Sequence, residues 1–299
     1  MFSPTSIAGV YTALVTPFSE DGNSVDFEAL DSLVEGQIAA GVAGLVPCGT
    51  TGEAPTMSDV EQRQVIERTV RAARGRVPVV AGTGSFSTQK TILASQAALE
   101  AGADAVMVVM PYYTRPSQAG LVEHVTRVAA SVKGPIVLYN IPVRTGVDLS
   151  PDATETICNR SANVVGIKDA TGNVLRCQEL VRRLGDRLAI MSGDDSLTLA
   201  MMACGARGVI STTSNLLPKA VTDMVRLAAA GESKEARRAH LALLPVYDAM
   251  FIEASPAPIK FAMSQKGRCT SAVRPPLVAA SEAARAKIGE AVRRYEGAL

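Results

Sequence analysis

Eight short runs of apolar and β-branched residues recur along the chain, and this recurrence limits the available folds more than any other feature of the sequence. They are GVYTALVTPF, GLVPCG, VPVVAG, AVMVVMP, PIVLYN, VVGIKD, LAIMSG and GARGVIS, beginning near residues 9, 44, 77, 105, 135, 164, 188 and 205. Between them lie segments with the 3.6-residue apolar period of helices, such as 26–41, 58–74, 88–102 and 117–133,. A strand followed by a helix, repeated about every 30 residues, implies parallel strands, because each crossover must return the chain to the same end of the sheet. Eight such units suit a closed barrel, whose interior eight strands make just wide enough for side chains to fill. The alternative is an open doubly wound sheet. Against it, the Gly-rich turn Gly82-Thr-Gly84-Ser-Phe-Ser87 lacks the third glycine of a dinucleotide fingerprint, and no GKS or GKT marks a phosphate loop,. The expected fold class is therefore α/β, a (β/α)8 barrel over residues 1–231. A small C-terminal helical domain is expected over 232–299, where the helical segments are punctuated by Pro256, Pro258, Pro275 and Pro276,.

Composition narrows the partners. Of 299 residues, 47% are hydrophobic and 20% charged, enough to bury a large core,. Thirty basic against 29 acidic residues leave a charge of +1 with no run of one sign, so nothing here provides a footprint for nucleic acid or an anionic membrane,. A small molecule is the expected partner. No positive segment precedes the apolar N-terminal stretch and no run approaches a membrane span, so a cytoplasmic location is expected,. The five cysteines are odd in number and lack a CxxC pair, which fits reduced thiols; Cys48 is the candidate for reactivity because of its neighbours,. The two histidines, His124 and His240, fall in helical stretches without a second ligand in register, which disfavours a zinc site or a histidine triad,.

Catalytic side chains of such a barrel gather at the C-terminal ends of the strands. There the sequence places Gly49-Thr50-Thr51-Gly52-Glu53, Pro111-Tyr112-Tyr113, Tyr139-Asn140 with Arg144, Lys168, and Gly193-Asp194-Asp195. A lysine beside Asp169 is by itself an ordinary loop ion pair. Lys168 however follows Val164-Val165-Gly166-Ile167, so its amine emerges among apolar strand residues. Such surroundings favour the neutral form of an amine, which can attack a carbonyl. Thr50-Thr51 reads either as a tight βα turn or as an anion-binding turn whose hydroxyls can relay protons. Tyr113 and Tyr139 read either as satisfied core or interface residues or as members of that relay. Arg144 is either surface charge or the fork for a substrate carboxylate.

The motifs GTTGE (49–53), PYYTRPSQAG (111–120), YNIPVRTG (139–146), GIKDATGN (166–173), SGDD (192–195) and GVIS (208–211) together resemble the dihydrodipicolinate synthase family over nearly the whole chain. The resemblance implies an imine between Lys168 and pyruvate, with Tyr139 exchanging protons and Thr50 connecting it to Tyr113. It implies that Tyr113 is lent by an adjacent subunit across a tight dimer, usually within a dimer of dimers. Thr51 would hold the pyruvate carboxylate, Gly193 and Ile210 would line the pocket, and Arg144 would position aspartate semialdehyde. No metal or organic cofactor is implied, since the imine is the electron sink. Sister aldolases acting on N-acetylneuraminate, keto-sugar acids or hydroxy-oxoglutarate share the lysine and tyrosine, but Arg144 and the double threonine favour the synthase. A non-catalytic keto-acid-binding barrel is the remaining alternative. Lysine-inhibited relatives bind lysine with an acidic residue and histidines. The matching positions here are Lys90, Asp59 and Gln62, with Phe86 in place of an asparagine, so weak or absent inhibition by lysine is expected.

Overall fold

The computed structural model describes residues 2–297. Its strands are β1 (Gly9–Ala13), β2 (Gly44–Val46), β3 (Val80–Gly82), β4 (Ala105–Val109), β5 (Ile136–Asn140), β6 (Val164–Asp169), β7 (Ala189–Ser192) and β8 (Gly208–Ser211). All pair in parallel in one sheet of order β2-β1-β8-β7-β6-β5-β4-β3. A bridge between Leu45 and Val79 joins the two ends, so the sheet closes on itself. The barrel is thus the observed architecture.

Six of the eight strands begin within a residue of their expected positions, and the two that start late have local causes. In the run from Val77, Pro78 has no N–H to give a ladder, and only its carbonyl is used, accepting from Leu45 N–H at 3.0 Å,. In the run from Gly205, that glycine has a φ of +103° and closes the preceding helix Thr198–Ala203, so pairing waits for Gly208,. Six helices begin where a side chain satisfies one of their first N–H groups. Asp26, Ser58, Ser87, Ser117, Ser150 and Asn173 each accept from a first-turn amide, and Ser58 forms a reciprocal capping box with Glu61,.

Strand alternation divides the core in two. Inward side chains, among them Tyr11, Val46, Met107, Val137, Met191 and Ile210, fill the barrel, while outward ones pack beneath the helices,. Asn215 ties the start of the sheet to its end: its Oδ1 accepts from Val15 N–H at 3.1 Å, and its Nδ2 donates to Ala13 O at 2.8 Å. After the helix Pro218–Ala229, the tail folds as helices Ser233–Met250, Ala257–Ser264 and Glu282–Gly297. Tyr247, Met250, Ile259 and Ile288 of these helices belong to the same buried cluster as the outer barrel core. The last two residues of the expected 232–299 segment lie outside the described residues. No helix among the described residues is long and apolar enough to cross a membrane.

Candidate active site

Lys168 and Asp169 are adjacent on β6 and face opposite ways. Asp169 turns toward the helices, where its Oδ2 accepts from Arg176 Nε at 2.7 Å and its Oδ1 from Thr171 Oγ1 at 2.6 Å. Arg176 is itself buried and also donates to Leu149 O. The expected alternative for Lys168, an ion pair with its neighbour, is therefore not what this chain forms. Lys168 is 4% exposed and faces Tyr139, its register partner on β5; the amine Nζ lies 4.3 Å from the centroid of the Tyr139 ring. No carboxylate among the described residues pairs with it. An amine buried at a barrel strand end, facing an aromatic ring and free of a carboxylate partner, is placed for addition to a substrate carbonyl.

The turn after β2 is held from several sides. Gly52 O accepts from Thr16 Oγ1 at 2.7 Å, Thr51 Oγ1 lies 3.2 Å from Thr212 Oγ1, and Glu53 N–H donates to Thr50 O at 3.1 Å. Gly52 is tightly packed: a Cβ there would stand 3.1 Å from Leu14 O and from Cys48 N, closer than ordinary contact. Thr50, Tyr139 and Arg144 line one cavity of about 780 Å³, ample for two small substrates,. Arg144 sits on the short helix Pro142–Thr145, with Nη2 donating to Ser255 O at 3.5 Å. Lys168, Thr51, Gly193 and Ile210 lie off that lining, at the strand ends beside it. Ile210 belongs to the inward cluster, and Gly193 packs so closely that a Cβ would stand 2.6 Å from that of Ala170.

Tyr113 does not join the others. It is 89% exposed with a φ of +69°, a left-handed conformation that is rare and strained for a bulky residue,. No hydrogen bond among the described residues links Thr50 to Tyr139 or to Tyr113, so the proton relay is not closed within one chain. Phe86 and Leu93 are also exposed, at 46% and 56%, and Phe86 packs edge-on against Tyr112, the residue before Tyr113, with ring centroids 5.6 Å apart. Lys90 Nζ lies 5.7 Å over the Phe86 ring, and Asp59 and Gln62 line the same cavity as both.

Cys48, the candidate for reactivity, is corrected by its burial: it is 3% exposed, and burial pushes its thiol up to about 12, which leaves negligible thiolate at neutral pH,. Asp195 in the SGDD run is also buried, its Oδ2 accepting from the N–H and Oγ1 of Thr213, so it braces two loops. Thr212 and the pair Glu53–Lys260 were missed. The polar run Thr212-Thr213 following a strand was a usable signal for the first, but Lys260 belongs to no motif.

The sequence model of the dihydrodipicolinate synthetase family matches residues 6–295. The chain belongs to that family. It is 64% identical over 294 residues to a 4-hydroxy-tetrahydrodipicolinate synthase of Sorangium cellulosum, covering 98% of each chain. It is 45% identical to the Geobacter sulfurreducens enzyme of the same name over 96% of this chain and 98% of that one. Among solved structures, the dihydrodipicolinate synthase of Aquifex aeolicus superposes with a TM-score of 0.95 at 42% identity, covering 97% and 98% of the two chains. That of Acinetobacter baumannii, complexed with pyruvate, does so with a TM-score of 0.95 at 40% identity, covering 97% and 99%. The family resemblance read from the motifs and the barrel expected from the strand pattern both stand.

Proposed function

We propose that this chain condenses pyruvate with L-aspartate 4-semialdehyde through an imine on Lys168, giving 4-hydroxy-tetrahydrodipicolinate for lysine and diaminopimelate biosynthesis. It is a lyase of the dihydrodipicolinate synthetase family. The observation that carries the catalytic reading is the buried Lys168 amine at a barrel strand end, facing Tyr139 without a carboxylate partner.

The Lys168 amine adds to the pyruvate carbonyl, and loss of water leaves the imine. Tyr139, whose ring lies under that amine, passes the protons this requires, with Thr50 next along the cavity wall,. The Thr51 hydroxyl and the amides of its turn bind the pyruvate carboxylate, while Gly193 and Ile210 shape the floor. Removal of a methyl proton gives the enamine, which attacks the aldehyde carbon of the semialdehyde held by Arg144 at its carboxylate. The substrate amino group then closes on the imine carbon and displaces Lys168, which returns as free amine. Kinetics with pyruvate and an aldehyde panel test the second substrate. A kcat/KM for aspartate semialdehyde at least about 100-fold above those for N-acetylmannosamine and glyoxylate is expected; comparable values would move the chain to a sister aldolase.

The working unit we propose is a tight dimer in which Tyr113 of one protomer completes the other's relay, and two such dimers form the tetramer. Its support is the 89% exposure of Tyr113, with the exposed Phe86 packed edge-on against the preceding residue, Tyr112,. A cytoplasmic location is proposed on the biosynthetic role and on five free thiols,. Lysine at about 1 mM is expected to leave the rate unchanged, because Lys90 repels a ligand ammonium in the cavity where Asp59 and Gln62 also sit,. Inhibition at micromolar lysine in steady-state assays would contradict this.

A further inference from the structure

The Thr50-Thr51 turn ends in a residue that belongs to neither the relay nor the cavity. Glu53 is 1% exposed, and its backbone has a φ of +55°, left-handed without being glycine. Its Oε1 meets Lys260 Nζ at 2.5 Å and its Oε2 accepts from Arg274 N–H at 3.0 Å. Lys260, on the helix Ala257–Ser264, is fully buried, donates also to Ala272 O at 2.8 Å, and lies 4.0 Å from the Phe18 ring centroid. Both ions are thus saturated by partners from the C-terminal segment and the loop after β1.

We infer that Glu53 and Lys260 are a positioning pair, through which the C-terminal helices set the place of the Thr50-Thr51 turn and hence the enzyme's hold on pyruvate. Three features support a role beyond packing. A buried ion pair is seldom the most stable filling for a core site, since apolar side chains of like volume do as well or better. The pair joins residues 207 apart in sequence, directly at the end of the five-residue turn. Glu53 has a left-handed backbone, a conformation that persists in a non-glycine residue only where the surrounding structure holds it,. The same C-terminal segment reaches the site a second time at Ser255, whose carbonyl accepts from Arg144.

The inference rests on the pyruvate reading given above, and the test separates the two. In the full chain, Glu53→Gln/Lys260→Met removes both charges yet keeps an acceptor for Arg274 N–H. It is expected to melt within about 5 °C of the wild type. Its KM for pyruvate should nonetheless rise at least about tenfold, with the KM for the semialdehyde changed less than about twofold, because Arg144, which holds the semialdehyde, sits on the helix Pro142–Thr145 and not on the displaced turn,. Glu53→Asp keeps both charges but shortens one arm and is expected to raise the same KM; it covers the case in which the double variant fails to fold. A folded variant of either kind with an unshifted pyruvate KM overturns the inference. Borohydride reduction of the wild type with pyruvate, read by mass spectrometry, reports on the underlying reading. An adduct on Lys168 leaves the inference to be judged by the variants, and its absence overturns both.

Discussion

Lys168→Met is expected to lower kcat by more than about 10⁴-fold while leaving the melting temperature unchanged or raised. Covalent catalysis has no substitute here. In the proposed mechanism Tyr139 moves protons and the Thr51 turn binds a carboxylate, but neither can form the imine that lets the pyruvate methyl carbon become a nucleophile. Methionine matches the length of the lysine stem and carries no charge, so the inward face beside Met191 and Tyr139 stays filled,. Because the wild-type amine is buried with no carboxylate partner, removing it takes away a desolvation cost instead of an attraction,. Stability and activity should therefore part company. Turnover within about 100-fold of wild type in a folded variant would remove Lys168 from the chemistry.

Mixing two dead proteins should restore activity. If the relay of each site borrows Tyr113 from its neighbour, Lys168→Met and Tyr113→Phe chains should complement one another. In a mixed dimer, the site with an intact lysine receives an intact tyrosine from the other chain, and the second site is doubly disabled. Random exchange between equal amounts makes half of the dimers mixed, so about a quarter of wild-type activity should appear after subunit exchange. Tyr113→Phe alone should cost about 10²-fold or more in kcat, as the loss of a proton-transfer group does. A mixture no more active than the sum of its parts would show that Tyr113 serves its own chain, which its 89% exposure makes geometrically hard. Co-purification of the untagged variant with an affinity-tagged partner from the same samples reports whether exchange took place.

What could be read from the sequence divides along physical lines. The strands were legible because each is an apolar run between turn residues, and their ends pointed to Thr50, Tyr139 and Lys168 because a barrel collects function there. The facing of Lys168 and Asp169 follows from the two-residue strand period, yet the Arg176 that claims Asp169 lies on the next helix and appears only once the crossover is folded,. Cys48 looked available from its neighbours and is sealed by burial, a property of the packed molecule. Glu53 stood in plain view in GTTGE, but its partner enters from a helix 207 residues on. Tyr113 is the limiting case. A single chain carries the residue and its unusual backbone, while its place in the relay came from the family motifs and awaits the complementation experiment.

The opposed facing of Lys168 and Asp169 also bears on how such an enzyme can change over evolutionary time. One strand position holds the amine proposed to form the imine and the next anchors the scaffold through Arg176. Point substitutions on the inner face can therefore retune the chemistry without touching the outer brace. A one-residue insertion or deletion in β6 would exchange the two faces, putting a carboxylate in the pocket and an unpaired cation beneath the helices. New specificities should accordingly arise by exchange of side chains and by growth of the loops, with the length of this strand held fixed.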